Sequence, residues 1–446
     1  MPDAALTNET AELLQALIRN ECVNDGRPES GGERRNADLL QTFLEGAGLA
    51  VERFTSVHDR TSIVARIEGT DPSAPKLCLM GHTDVVPVTP SGWLNDPFGG
   101  ELIDGEIWGR GAIDMLNETA SMAVAFKQLA RTGFRPKGDL IYFGVADEEA
   151  GGTYGARWMV DDHWDAIACN YLVTEMGGWS AAGADGRRKI TINVGEKGIA
   201  WRRIRVSGTP GHGSMPFGAD SAVLKAAEVI RRIGVFRPAS HLDELWAATV
   251  ETLGVADDVK AGLLDPQRLW ETLESMPLAV AKRLHACSHT TFSPNVVHGG
   301  VKTNVIPDVV DIDVDIRTVP GTTGDMVDAH LREALGDLYD AVELSPIFND
   351  MASRSAVGNP LWHSIERRTR EVYPDSDLLP QLLVGATDAR FFREKGVVAY
   401  GTGLLAPTIT MEDFAGRFHG HNERIDVESL GYCVELWLGV VDDLLR

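Results

Sequence analysis

The stretch Leu77-Cys78-Leu79-Met80-Gly81-His82-Thr83-Asp84 is apolar for four residues and then turns abruptly to a histidine and an acid. Four apolar residues are too few for a helix and read as a buried strand. The same design recurs downstream. Leu140 to Val145 runs into Asp147-Glu148-Glu149, and Tyr171 to Thr174 runs into Glu175. A further apolar run, Ser62 to Ile67, precedes them. Between the runs at 77 and 140, Met122, Phe126 and Leu129 recur at helical spacing and predict a helix over about Met115 to Leu129. Strands alternating with helices predict an α/β layer structure with a mixed, largely parallel sheet.

Working outward, Leu13, Leu14, Leu17 and Ile18 form the stripe of an N-terminal helix, and Leu39, Leu40, Phe43 and Leu44 that of a second helix near Asn36 to Glu45. The pattern changes near Gly198. Ile199 to Val206 alternates apolar and basic residues, Ser221 to Ile233 is helical, Val296 and Val297 are strand-like, and Val309 to Ile316 alternates with period two. This is an α+β pattern with one sheet face wet. A helical, acid-rich insertion runs from about 236 to 289 and has no evident place in it. From Ser355 the α/β pattern returns, with a helix at Leu361 to Val372, a strand at Val397 to Tyr400 and a last helix from Val427. The expected organisation is one α/β domain of residues 1–197 and 355–446, interrupted by an α+β domain of residues 198–354.

The 446 residues carry a formal net charge of -23 and no basic run that offsets it. Nucleic acid and anionic membranes are therefore not expected partners, because the usual electrostatic attraction is missing. No window approaches the roughly 18 apolar residues of a membrane span. The first residues also lack a basic segment followed by an apolar stretch, so no secretory signal is expected. The five cysteines are scattered and never spaced Cys-x-x-Cys. They read as reduced, which suits the cytoplasm, and they leave any metal to histidines and carboxylates.

In open α/β sheets functional groups gather past the carboxyl ends of the strands. The loops carrying His82, Glu149 and Glu175 should converge there. So should Asp114, at the end of Gly109-Arg110-Gly111-Ala112-Ile113-Asp114, and His419, at the start of His419-Gly420-His421-Asn422-Glu423. Mixed imidazole and carboxylate ligands suit Zn²⁺, Co²⁺ or Mn²⁺, and this inventory is enough for two such ions sharing one carboxylate. His82 and Asp84 lie two apart on one face of an extended chain, so Asp84 is expected to accept the free imidazole N–H of His82. Glu148 and Glu149 are adjacent and point apart, leaving one to ligate and one free as a general base. Each piece alone has a plainer reading: a satisfied His–Asp pair, a solvated acidic turn, an N-cap at Asp114.

The ordered motifs resemble the dinuclear zinc amidohydrolases that include succinyl-diaminopimelate desuccinylase, acetylornithine deacetylase, aminoacylase, glutamate carboxypeptidase and several dipeptidases. They are Gly-His-Thr-Asp-Val-Val-Pro (81–87), Gly-Arg-Gly-Ala-Ile-Asp-Met (109–115), Asp-Glu-Glu (147–149), Glu175, Gly-His-Gly-Ser (211–214), Thr-Asn-Val-Ile-Pro (303–307), Asp-Ile-Arg-Thr (315–318), Thr-Asp-Ala-Arg-Phe (387–391) and His-Gly-His-Asn-Glu (419–423). The resemblance implies that Asp114 bridges two divalent ions, zinc first and cobalt or manganese as alternatives. His82 and Glu175 would complete one site, and Glu149 and His419 the other. It implies Glu148 as general base and acid, Asp84 as the residue orienting His82, and a cis peptide bond after Asp114.

The inserted domain would be the family's lid and dimerisation domain, making a homodimer. His212 would stabilise the oxyanion in a neighbouring active site, and Asn304 and Arg317 would bind a substrate carboxylate. Thr387, Asp388 and Arg390 are as well suited to holding a loop as to touching substrate. His421 stands where the family usually has Pro and is left out of the metal set. Two departures, Met115-Leu116-Asn117-Glu118 after the bridging acid and the long insertion, bear on substrate more than on mechanism. Glu rather than Asp at Glu175 goes, in the family, with deacylases and carboxypeptidases. The expected activity is hydrolysis of an amide in a small carboxylate-bearing substrate, by an N-acyl-amino-acid deacylase or a carboxypeptidase-like dipeptidase. The alternatives are an amidohydrolase of an unusual small molecule, aromatic or amide-bearing, or a non-catalytic binder of amino-acid derivatives.

Overall fold

Each apolar run that ends in a metal-type residue forms a strand. The computed structural model of the chain describes residues 2–57 and 59–446. By contact it divides into two compact units, one of residues 1–194, 355–381 and 387–446, the other of residues 195–354 and 382–386.

The first unit is built on a mixed sheet with strands β1 (Val51–Thr55), β2 (Thr61–Ile67), β3 (Leu77–His82), β4 (Leu140–Val145), β5 (Tyr171–Thr174), β6 (Arg188–Glu196) and β7 (Val398–Gly401), in the order β1-β2-β4-β3-β5-β7-β6. The central strands β4, β3, β5 and β7 are parallel, while β1, β2 and β6 run antiparallel to their neighbours. The register pairs His82 with Val145, so β3 and β4 release their loops at the same level. All of β3 and β4 is buried, which explains why they read as continuous apolar runs rather than as alternation.

Alternate residues still serve different layers. Cys78, Met80, Ile141, Phe143 and Val145 pack into one core with Met159, Val160, Phe391 and Phe392. Tyr142 points the other way, its ring 6.0 Å from Phe126 and its hydroxyl donating to the Thr119 carbonyl. Phe126 and Thr119 belong to helix α3 (Leu116–Arg131), which follows α1 (Ala4–Arg19) and α2 (Arg34–Glu45) in the chain and packs with α1 and with the last helix, Val427–Leu445. Helix starts carry caps where the sequence supplies them: Asp3 accepts from Ala5 and Leu6, and Asp426 from Ser429.

The second unit has a five-stranded antiparallel sheet centred on Val309–Thr318. Its period-two pattern buries Val310, Ile312, Val314 and Ile316 beneath the helices Ala222–Val235 and Gly324–Leu335. On the other face, Asp313 and Asp311 pair across the strands with Arg203 at 2.6 Å and Arg205 at 2.8 Å. The strand read at Val296 and Val297 extends over Thr291–Gly299, with a register shift between Pro294 and Val296. Its polar residues Ser293 and Asn295 hide its length in the sequence. The insertion forms four short helices, Glu244–Thr252, Asp257–Leu263, Leu269–Glu274 and Leu278–Ser288, around a core that includes Trp246, Val250, Leu263 and Leu269. Among the described residues, no helix is long and apolar enough to cross a membrane.

Helix α3 lies against β3 at Gly81, where an added Cβ would sit 2.4 Å from Thr119 Oγ1 and 2.9 Å from Thr119 Cα. That hydroxyl also donates to the His82 carbonyl at 2.7 Å. Because the obstacle includes helix backbone, Gly81→Ala should destabilise the protein by about 1–3 kcal/mol, measured as a lowered denaturant midpoint with an unchanged m-value.

Candidate metal centre

The ends of β3, β4 and β5 deliver three of the expected residues, and two further loops deliver the rest. β3 ends on His82 itself. After β4, Asp147 takes a left-handed conformation (φ 71°) that turns the chain into the short helical turn carrying Glu148 and Glu149. Glu175 follows β5 directly. Asp114 ends the loop before α3, and its peptide bond to Met115 is cis. His419 lies between the helix Met411–Arg417 and a short strand, Arg424–Asp426, that pairs with Glu106–Trp108. That pairing sets the C-terminal loop beside the loop leading to Asp114.

These residues form two triads that share one acid. His82, Asp114 and Glu175 offer ligand atoms within 4.8 Å of one another, and so do Asp114, Glu149 and His419. The two oxygens of Asp114 face different imidazoles: Oδ1 lies 3.2 Å from His82 Nε2, and Oδ2 lies 2.8 Å from His419 Nε2. His82 Nε2 is 3.8 Å from Glu175, and His419 Nε2 is 3.4 Å from Glu149. The Asp114, Glu149 and Glu175 carboxylates have no Lys or Arg ion pair among the described residues. Glu149 Oε1 is buried without a hydrogen-bond partner.

The electrostatics of the centre are those of a site short of positive charge. Burial, followed by the charges of Glu148 and Asp114, pushes the Glu175 carboxyl well above its ordinary range. Burial and then Asp114 push Glu149 up to about 7. Burial works to lower His419, yet its hydrogen bonds to Asp114 and Glu149 push it up to about 10. Burial likewise opposes a proton on His82, but Asp114 and Glu175 hold its pKa well above normal. Protons occupy places where divalent cations would serve the same carboxylates better, so the donor set fits a pair of such ions.

The supporting groups differ from the expectation in one respect. His82 Nδ1 lies 3.0 Å from the Asp84 main-chain carbonyl and 3.6 Å from its carboxylate. A carbonyl can only accept, so Nδ1 carries a proton, and Nε2 is the nitrogen that can offer its lone pair to an ion once it has given up its own proton. The Asp84 carboxylate is turned elsewhere, accepting from Asn24 Nδ2 at 2.8 Å, Glu149 N at 3.1 Å and Glu148 N at 3.3 Å. It fixes the Glu148–Glu149 turn directly. Beneath that turn, the buried guanidinium of Arg60 pairs with Glu33 and, at 3.3 Å, with Asp147. Glu33 in turn accepts the Asp147 N–H. Asn24, Glu33 and Arg60 carry no sequence signal, because each is an isolated polar residue in a segment that reads as helix or loop.

Glu148 is half-buried, and among the described residues its carboxylate has no hydrogen bond or ion pair. Burial, reinforced by Glu149 and Asp114 and opposed by His82, pushes its pKa up to about 8. Asp388 is buried with both carboxylate oxygens unpartnered, while Arg390 donates to the Gly151 and Thr387 carbonyls and so ties down the loop after Glu149. His421 is in neither triad.

The second unit holds His212, Asn304 and Arg317. His212 and Asn304 share a two-stranded ribbon in which His212 pairs with Val305 and Gly213 N donates to the Asn304 carbonyl. Both residues are exposed, and His212 Nδ1 lies 2.7 Å from Ser214 Oγ. Arg317 projects from Val309–Thr318, donating to Asp315 at 2.8 Å beside the Trp201 ring.

Residues 78–443 match the description of peptidase family M20/M25/M40. The chain belongs to that family. It is a metallo-hydrolase of amide and peptide bonds. It is similar to the N-fatty-acyl-amino acid synthase/hydrolase PM20D1 of Xenopus tropicalis, with 27% identity over 85% of this chain and 74% of that one. It is also similar to aminoacylase-1 of Mus musculus, with 24% identity over 95% and 92%. The fold resembles that of an M20 family metallo-carboxypeptidase, Sso-CP2 from Sulfolobus solfataricus, at TM-score 0.73, 17% identity, and coverage of 98% and 99%.

Because His82 and His419 must lose a proton to ligate, metal binding should release protons. Apparent affinity should therefore fall steeply on acidification. Competition titrations against a chelator between about pH 6 and 9 should show stronger binding at each higher pH until the histidines are free of protons.

Proposed function

We propose that the chain is a two-ion enzyme, zinc-loaded in its native state, that removes the acyl group from N-acyl amino acids or cleaves carboxylate-ended dipeptides. The observation that carries this reading is the pair of triads sharing Asp114, with an unengaged Glu148 beside them. His82, Asp114 and Glu175 would hold one ion, and Asp114, Glu149 and His419 the other. Bound there, the ions would supply Lewis acidity, acidifying a water and polarising the amide carbonyl.

The chain's own groups do the rest. Glu148 takes the proton of the attacking water and passes it to the leaving nitrogen. Its raised proton affinity suits a group that must both accept and donate near neutral pH. Asp84 is a positioning residue for both ends of the centre: its carbonyl sets the His82 tautomer, and its carboxylate holds the turn that aims Glu148 away from Glu149. We assign oxyanion stabilisation to His212, and recognition of the substrate carboxylate to Arg317 and Asn304. The choice of an N-acyl amino acid is supported by Glu, not Asp, at position 175 and by the names of the relatives, an N-fatty-acyl-amino acid hydrolase and an aminoacylase. We further assign the second unit to homodimer formation and, from five unpaired cysteines, the protein to a reducing compartment such as the cytoplasm.

Purified protein loaded with Zn²⁺ should hydrolyse N-acyl amino acids or dipeptides and lose activity to a chelator. Cleavage confined to free-amino tripeptides would overturn the substrate class. Glu148→Gln should lower kcat by about 10²–10⁴-fold while elemental analysis finds the metal content unchanged. A matching loss of metal would instead make Glu148 a ligand.

A further inference from the structure

The geometry of the centre depends on two loops that arrive from distant parts of the first unit, one ending at Asp114 and the other carrying His419. Asp114 is common to both triads, so a small displacement of its backbone alters both. His419 is not glycine but has a left-handed backbone (φ 53°), which its surroundings must hold in place.

One buried ion pair joins these loops. Glu423 is 0% and Arg110 3% exposed. Glu423 Oε1 accepts the main-chain N–H of Ile113 at 2.8 Å and of Asp114 at 3.2 Å, while Oε2 accepts Arg110 Nη1 at 2.6 Å. Arg110 Nη2 then donates to the His419 carbonyl at 3.3 Å. The main chain closes the loop, with Gly109 N donating to the Glu423 carbonyl at 2.9 Å. The guanidinium is further fixed beside the Trp93 ring. Every side-chain hydrogen bond of the pair therefore ends on the backbone of a proposed ligand, on that ligand's neighbour, or on the partner charge.

We propose that Arg110 and Glu423 are positioning residues that set Asp114 and His419 in register, so that Asp114 can present one oxygen to each triad. The inference rests on the two-ion reading above. A pair kept only for stability would be a poor choice, since burying two charges costs about as much as their attraction returns, and apolar side chains of the same volume often serve as well or better. A planar fork that reaches a carboxylate and a carbonyl at once is suited to fixing two chain segments relative to each other.

The test uses Glu423→Gln, which keeps the volume and one acceptor but removes the charge facing Arg110. It also uses Arg110→Lys, which keeps the charge but cannot span Glu423 and the His419 carbonyl. Zn²⁺ dissociation constants for both equivalents are measured by chelator competition, and Co²⁺ absorption spectra report the ligand geometry. Both variants should bind the equivalent that His419→Ala loses about ten- to hundredfold more weakly, and the other equivalent more weakly than wild type as well because Asp114 is shared, with a changed Co²⁺ spectrum and cooperative unfolding in the metal-free state. If Glu423→Gln fails to fold, Arg110→Lys decides. Wild-type constants and spectra in the folded variants would overturn the proposal. Failure of the wild type to take up two equivalents would overturn the two-ion reading instead.

Discussion

The constraint on which the centre depends is the mutual repulsion of carboxylates buried in one place. Asp84, Asp114, Glu148, Glu149 and Glu175 are largely withdrawn from water, and burial together with the charges of Asp114 and Asp84 raises the proton affinity of Glu148 and Glu149. Left to themselves such groups would take up protons, or the loops bearing them would part. The fold answers by giving each acid a different neighbour. Asp114 has two imidazoles, and Asp84 has the amide of Asn24 and two main-chain N–H groups. Glu148, with no such partner, and Glu149 and Glu175, held only by the longer contacts to His419 and His82, have raised proton affinity. A cation-binding pair of triads with one adjacent free base follows from that division.

The parallel strands make the crowding possible. Pairing His82 with Val145 in register puts the two loop origins side by side, and β5 on the other flank of β3 adds Glu175. A shift of two residues in either register would carry a ligand roughly 6.5 Å along the strand, farther than any of these contacts can follow. The apolar interior residues of β3 and β4 therefore serve the chemistry indirectly, by packing the two strands in the core in the register that sets the ligands.

Much of this was legible in the sequence because the strand runs and the ligands are contiguous. Leu77 to Met80 leads straight to His82, Leu140 to Val145 to Glu149, and Tyr171 to Thr174 to Glu175, so reading the strands located the acids. The length of Thr291–Gly299 was not legible, because its register shift and polar interior break the alternation. The direction of the Asp84 carboxylate was not legible either. Residue spacing of two places a side chain on a face, but it does not say which donor reaches that carboxylate first. Here the amides of Glu148 and Glu149, from a turn more than sixty positions away in sequence, did so.

The two arginines show why the support of such a site escapes sequence reading while its ligands do not. Arg60 lies under the turn that carries Glu148 and Glu149, and Arg110 lies behind the loops that carry Asp114 and His419. Each is paired with a buried glutamate, Glu33 or Glu423, that also accepts main-chain N–H groups of the ligand-bearing segment. Neither arginine approaches a ligand carboxylate within ion-pair distance. If either did, its charge would replace the very cation the site is built to hold. Positive charge is thus kept one residue layer back, where it can fix backbone without neutralising the centre. That arrangement pairs each long side chain with a glutamate from a distant segment, Glu423 for Arg110 and Glu33 for Arg60, so the pairing is set by the folded chain rather than by any local spacing.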